Sequence, residues 1–290
     1  MAAVTSAMVK ELRELTGLGM MDCKRALTES AGDMEMAIEG LRKSSALKAA
    51  KKADRTAAEG LLGMRVADDG SYAVLVEVNI ETDFAARNEK FLAFLQRVRD
   101  HAFERRMTDV AAVLAGGLEA ERETLVQEIG ENVSVRRIAL IEAAGGKVAS
   151  YLHADGRKAA LVAVIGGDAE LGRDLAMHVT AINPLVVSSA DVAPEVVAKE
   201  REIFTAQSQD SGKPADIIAK MVEGRVRKFL AEVSLLDQPF VKDSNTRVGQ
   251  LLMQKHARCA GFVRFEVGEG IDKVEKDFAA EVAAQVKGKS

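Results

Sequence analysis

Near the start of the chain, three groups of apolar residues recur at three- and four-residue spacing, a pattern that predicts three short helices. Thr5 can cap the first helix and Gly17 can end it. Asp22 can cap the second, and Gly32-Asp33 can end it while capping the third. Three helices of this length form a small bundle that is only marginally stable by itself. The pattern therefore predicts an N-terminal three-helix domain.

A basic connector follows the three helices, from Arg42 to Arg55. It holds six lysine or arginine residues against one acidic residue, Asp54. A charge run of this kind is usually solvated, and its place between the bundle and the rest of the chain also suits a contact with an acidic partner. The first predicted unit, bundle and connector together, spans residues 1–55.

Alternating apolar residues then predict a strand–turn–strand–helix unit that occurs twice. Between the two copies, residues 119–128 are predicted as helix and residues 133–143 as strand. Two such units predict a duplicated α+β core with antiparallel sheets, each covered on one face by helix. The ranges of the two copies are strand 61–66, turn Asp69-Gly70, strand 72–80 and helix 88–101, and then strand 148–152, turn Asp155-Gly156, strand 158–165 and helix 169–181.

Two amphipathic helices within residues 194–233 are separated by a break at Ser211-Gly212-Lys213-Pro214. They predict an antiparallel helical hairpin that interrupts the second unit, because the strand-like residues 261–267 beyond it still need a sheet. The fold class is thus α+β. The predicted domains are residues 1–55, the bundle and connector; 56–145, core subdomain N; 146–187 with 236–270, core subdomain C; 188–235, the helical hairpin; and 271–290, a C-terminal helix.

Composition narrows the class of protein. Of 290 residues, 48% are hydrophobic and 29% charged, as in ordinary globular proteins. A net charge of −4 and only 4% aromatic residues argue against direct binding of nucleic acid. The longest uncharged apolar run, 159–167, is too short to cross a membrane. With no signal-peptide pattern and two distant cysteines, Cys23 and Cys259, we expect a cytoplasmic protein with reduced thiols and no membrane contact.

One stretch resembles a phosphate-binding loop, Gly167 to Asp174, placed between a predicted strand and helix. The motif needs lysine followed by serine or threonine, whereas Arg173 and Asp174 stand there and Asp168 adds negative charge. The four histidines lack metal-ligand spacing. We therefore expect no enzyme activity, no catalytic residues, no cofactor and no metal. A nucleotide-dependent enzyme that uses this loop remains the alternative from another class.

Three stretches of the chain stand out, residues 9–27, 77–84 and 261–270, with shorter ones at Ile129-Gly130-Glu131-Asn132, Ala176-Met177-His178-Val179 and Ser211-Gly212-Lys213-Pro214. They resemble bacterial elongation factor Ts and occur in the family's order. The resemblance implies a bundle of the ubiquitin-associated type, a core of two subdomains and a coiled-coil module in place of the hairpin. It also implies a guanine-nucleotide exchange factor whose partner is elongation factor Tu, either GDP-bound or nucleotide-free.

The resemblance places the site on Thr82-Asp83-Phe84-Ala85. In the family this segment inserts between helices of elongation factor Tu and displaces its magnesium. Taken alone, the residues favour a Phe84 packed in the protein's own core, and the resemblance favours the wedge instead. A factor that binds elongation factor Tu without efficient exchange stays open, as do a homodimer and ubiquitin binding by the bundle. Further partner contacts are implied at Lys24, Lys52, Ile129, Gly130 and His178.

Overall fold

The structure is a computed structural model that describes residues 4–209 and 214–272. Its mixture of helices and antiparallel sheets confirms the α+β class. The predicted break at Ser211-Gly212-Lys213 and residues 273–290 of the predicted C-terminal helix lie outside the described residues. Ile271 and Asp272 belong to no helix or strand.

Three helices form the N-terminal bundle around an apolar core: α1 (Ser6–Thr16), α2 (Met20–Glu29) and α3 (Met34–Ala50). Thr5 and Asp33 cap α1 and α3 as predicted, since each side chain accepts a backbone N–H of the first turn. Gly17 ends α1 in the left-handed conformation that glycine adopts without strain.

Two predictions about this region are wrong. Asp22 does not cap α2, which begins at Met20 after Gly19, three residues earlier than predicted; the Asp22 carboxylate instead binds Gln127 at 3.2 Å and Lys48 at 3.6 Å. The basic connector is mostly not a linker, because α3 continues to Ala50. Its alanines and leucine have high helix propensity, and packing against the later helix Leu118–Ile129 stabilises the extra turns.

The first core unit is a three-stranded antiparallel sheet in the order β1-β2-β3. β2 pairs on both sides, and its side chains at Val74, Val76, Val78 and Ile80 share one face, as predicted, in a core with α5 and α7. The short helices α4 and α6 were not predicted. The elements are β1 (Glu59–Val66), β2 (Tyr72–Ile80), α4 (Asp83–Ala86), α5 (Glu89–Arg105), α6 (Val110–Leu114), α7 (Leu118–Ile129) and β3 (Val133–Glu142).

The second unit repeats this arrangement in the order β4-β5-β8, covered by α8. Its third strand comes only after the hairpin of α9 and α10, as the sequence predicted. The small elements β6, β7 and α11 were not predicted. The elements are β4 (Lys147–Leu152), β5 (Lys158–Ile165), α8 (Ala169–Ile182), α9 (Pro194–Gln209), α10 (Ala215–Val233), β6 (Pro239–Phe240), β7 (Asp243–Arg247), α11 (Val248–Gln254) and β8 (Arg258–Glu266).

The two sheets pack against each other through the faces that their helices leave free. Leu62 and Leu75 of the first sheet share one apolar cluster with Leu161 and Phe265 of the second. β2 and β5 are therefore buried on both faces, which holds the ends of their strands in fixed positions. The segment that follows β2 leaves the sheet at such an end.

Candidate partner-binding site

A short helix presents Phe84 at the surface directly after β2. Thr82 is extended, and its hydroxyl accepts the backbone N–H of Ala85 at 3.2 Å, so that α4 begins at Asp83. Buried Ala86 packs α4 onto the first core. Phe84 points away from that core with 81% of its surface exposed, the highest value among the large apolar side chains described. The expectation from the residues alone, that Phe84 packs in the core, is wrong.

Asp83 lies beside Phe84 and is also exposed. Its carboxylate pairs with Arg87 one turn later, at 3.6 Å, with 78% of the arginine side chain and 53% of the aspartate side chain open to solvent. Ion pairs this exposed contribute little to stability. Asp83 can therefore exchange Arg87 for a group on a partner at small cost.

The turn after α7 lies next to this segment. Gly130 ends α7 in the left-handed conformation, with φ 87°, and is exposed, while Ile129 before it is half-buried. The Lys52 ammonium donates to the Gly130 carbonyl. The next residue, Glu131, accepts two hydrogen bonds from Thr82. The structure thus brings together four of the implied contact positions, Lys52, Ile129, Gly130 and Thr82.

Sequence reasoning assigned no role to Glu131, although it lies inside the matched Ile129-Gly130-Glu131-Asn132 stretch. Its partner Thr82 is 49 positions away in the chain. No local pattern links residues at that separation, because the contact exists only once β2 and β3 pair in register. The match itself was the signal that could have drawn attention to it.

Lys24 lies exposed on α2, in the bundle. Two of the polar contacts that hold the bundle on the first core unit are made by Lys90, which donates to the Gly17 carbonyl at 3.3 Å, and by Gln127, which donates to the Asp22 carboxylate at 3.2 Å. Among the described contacts, none joins Lys24 directly to the Phe84 segment. Its role in partner binding stays a prediction.

His178 is fully buried, so its side chain does not reach a partner in this conformation, and its implied contact with the partner stays a prediction. Its Nδ1 accepts the backbone N–H of Val241 at 3.1 Å, which leaves Nε2 to donate to Gln238 at 2.9 Å. The imidazole is therefore neutral, and burial lowers its pKa below the ordinary value. His178 links α8 to the segment after α10.

The loop that resembles a phosphate-binding motif does open α8, but its helix end is already satisfied. The Asp168 carboxylate accepts the backbone N–H of Leu171 at 2.8 Å and lies 3.5 Å from the Lys255 ammonium. These bonds lower the pKa of Asp168, so a negative charge occupies the position that a phosphate needs. This geometry argues against the nucleotide-dependent enzyme.

Over residues 4–209 and 214–272, no helix is long and apolar enough to cross a membrane. Within the same ranges, no group of three or more histidine, cysteine, aspartate or glutamate side chains is arranged to hold a metal ion.

Comparison with known proteins places the chain in a family. The family model described as elongation factor TS matches residues 81–269. The elongation factor Ts of Saccharophagus degradans is 60% identical over 284 residues, covering 98% of each chain. That of Hahella chejuensis is 58% identical over 99% of this chain and 100% of its own, and that of Teredinibacter turnerae 57% identical over 98% and 97%. The chain therefore belongs to the elongation factor Ts family of translation elongation factors.

Proposed function

We propose that this protein is a guanine-nucleotide exchange factor for elongation factor Tu, and that it releases GDP by inserting Asp83 and Phe84 beside the partner's magnesium site. The observation that carries the proposal is the exposure of Phe84 on a capped, anchored helix. Large aromatic side chains that fill a partner's pocket dominate the energies of protein interfaces. Phe84 is placed to be such an anchor.

The energy available to Phe84 is adequate for the task. Moving a phenylalanine side chain from water to a buried pocket is worth about 1.5–3 kcal/mol. α4 is already formed and held by Thr82, so little backbone entropy is lost on binding. Most of that energy is then free to distort the partner.

Exchange needs differential binding and no nucleophile. If the factor weakens the binding of GDP to its partner, GDP must weaken the binding of the factor by the same ratio. The factor therefore has to bind a distorted, nucleotide-poor partner more tightly than the GDP-bound one. Magnesium demands near-ideal octahedral coordination and bridges the phosphate oxygens of the nucleotide. A small displacement of the helices that hold it therefore loosens GDP strongly. In this proposal the chain is a binding protein and not an enzyme.

We also place this activity in the cytoplasm. The supporting observation is that Cys23 and Cys259 are both free thiols. Burial raises the pKa of Cys259 to about 11, so this thiol stays protonated and unreactive. Unpaired thiols of this kind are typical of proteins in reducing compartments.

Release of fluorescent GDP from purified elongation factor Tu tests the proposal. The wild-type chain should accelerate release, and Phe84→Ala should reduce the acceleration about tenfold or more, as for the loss of an interface anchor. Met253→Ala is the matched control, because Met253 is also a large apolar residue, 77% exposed, on α11. It should behave as wild type.

The other outcomes are equally informative. Equal acceleration by wild type and Phe84→Ala would keep the exchange function and remove Phe84 as its agent. Binding of elongation factor Tu without any acceleration would overturn the proposal and favour a factor that only holds its partner.

A further inference from the structure

The Phe84-bearing segment is joined to the turn after α7 by two carboxylates that reach in opposite directions. Glu131, in the turn, accepts the backbone N–H of Thr82 at 2.9 Å through one oxygen and the Thr82 hydroxyl at 2.7 Å through the other. Glu81, in the segment, accepts the backbone N–H of Asn132 at 2.6 Å. We call these contacts the clasp. Hydrogen bonds to an ionised carboxylate are shorter and stronger than neutral ones, so the clasp holds the two backbones together.

The clasp controls the start of α4 because the Thr82 hydroxyl has two partners. It donates to Glu131 and accepts the backbone N–H of Ala85, the capping bond of α4. Glu131 thereby fixes the rotamer of the capping side chain. A helix of four residues is too short to maintain its own conformation. The direction in which Phe84 leaves the surface therefore depends on this end of α4.

The turn that carries Glu131 is fixed in its own right. Asn132 is buried and donates its side-chain amide to the carbonyls of Ala53 and Arg55, at 3.2 and 2.9 Å. The Arg55 guanidinium lies 3.5 Å from the Glu81 carboxylate. The connector, the turn and the Phe84 segment thus form one continuous polar network. The backbone that carries Glu131 is therefore held in place independently of the Phe84 segment.

We propose that Glu131 is a positioning residue for nucleotide exchange, which orients Phe84 for insertion without itself contacting the nucleotide. The inference rests on the proposed function above. Thr82 is exposed and Glu131 only half-buried, so the clasp adds little to the protein's core. Its loss is expected to change exchange far more than folding.

Two substitutions test this role. Glu131→Ala removes both acceptors, and its effect on GDP release should be about tenfold, since misplacing a positioned group by a fraction of an ångström is costly. Glu131→Gln keeps one acceptor and should restore part of the activity. Glu142→Ala is the matched control: Glu142 is an exposed, ion-paired carboxylate at the other end of β3, about 30 Å away, and its loss changes the net charge equally.

A double-mutant cycle separates positioning from a general structural role. If Glu131 acts through Phe84, then Glu131→Ala should have almost no effect in a Phe84→Ala background, whereas independent effects would multiply. In the isolated wild-type chain, the Thr82 and Ala85 amides should exchange hydrogen more slowly than in Glu131→Ala, with no change in the strands of the first sheet.

The outcomes separate the two proposals. If wild type fails to accelerate GDP release, the proposed function fails. If wild type is active and Phe84→Ala is impaired while Glu131→Ala matches Glu142→Ala, only the positioning role is overturned. Multiplicative effects of Glu131→Ala and Phe84→Ala would also overturn it.

Discussion

At the scale of single residues, Glu77 shows how the protein tolerates a buried charge. It is fully buried in β2, on the face between the two sheets, and accepts hydrogen bonds from Arg136 at 3.1 Å, Arg137 at 2.5 Å and the Gly268 backbone at 2.8 Å. A carboxylate without such partners cannot be buried at acceptable cost. Glu77 therefore ties β2 to β3 and to the segment after β8.

Removing this carboxylate should destabilise the protein. We expect Glu77→Ala to lower the free energy of unfolding by about 2–3 kcal/mol, below the full range for a broken buried pair because Arg136 and Arg137 are 27% and 31% exposed and can regain water. Chemical denaturation followed by circular dichroism measures this loss. Glu104→Ala, which removes an exposed ion-paired carboxylate, should change stability by less than about 0.5 kcal/mol. Equal losses in the two variants would contradict the account.

His178 should make stability depend on pH. Burial lowers the pKa of His178 in the native state, while the unfolded chain returns it to about 6.5. On acidification the unfolded state binds the proton first, so this contribution is complete above about pH 6.5 and is lost as the pH falls through the native pKa. Glutamine cannot titrate. The stability gap between wild type and His178→Gln should therefore narrow from pH 7 to pH 5, as denaturation at each pH would reveal. A constant gap would rule out the titration.

At the scale of elements, the strands and the long helices could be predicted because the spacing of apolar residues within one short stretch of sequence indicates each of them. β2 and β5 follow apolar runs bounded by Asp-Gly turns, and the predicted ranges 72–80 and 158–165 match the structure. The start of α2 was missed because aspartate is a common capping residue and Asp22 was therefore chosen. The observed cap, Gly19, makes no side-chain capping bond. A single turn such as α4 has too few residues for a periodic pattern.

The site was harder to predict than the fold for a physical reason. Thr82 is of a residue type that commonly caps helices, but the exposure of Phe84 depends on the direction of α4 against the finished sheet. In the same way, the burial of His178 depends on Gln238 and Val241, which approach only after the hairpin has folded back. Resemblance identified the segment, whereas its geometry required the structure.

A glycine in β1 tests how closely two strands must approach. Gly60 has φ 137°, and a Cβ there would lie 2.1 Å from the Val78 carbonyl oxygen, so strand pairing has no room for a side chain. Gly60→Ala should cost about 3 kcal/mol or more, since backbone atoms must move. Gly261→Ala, in the edge strand β8, meets nothing within 4 Å and should be close to neutral. Thermal unfolding of both variants decides the point, and similar midpoints would contradict it.

At the scale of the whole molecule, the face-to-face packing of the two sheets makes the core units interdependent. One apolar cluster draws Leu62 and Leu75 from the first sheet and Leu161 from the second. Each unit also has its own core between sheet and helix, containing Leu175 in the second unit. The Phe84 segment leaves β2, which borders both kinds of core, so its support comes from both units.

This interdependence predicts different effects for two chemically identical substitutions. Leu161 and Leu175 are both fully buried, so replacing either by alanine should cost about 2–5 kcal/mol. The cavity from Leu161→Ala opens between the sheets, and hydrogen exchange should accelerate in β2 as well as in β5. The cavity from Leu175→Ala opens under α8, and acceleration should remain within the second unit. If Leu161→Ala left β2 as protected as in wild type, the units would be independent, and the rigidity of the Phe84 segment would come from the first unit alone.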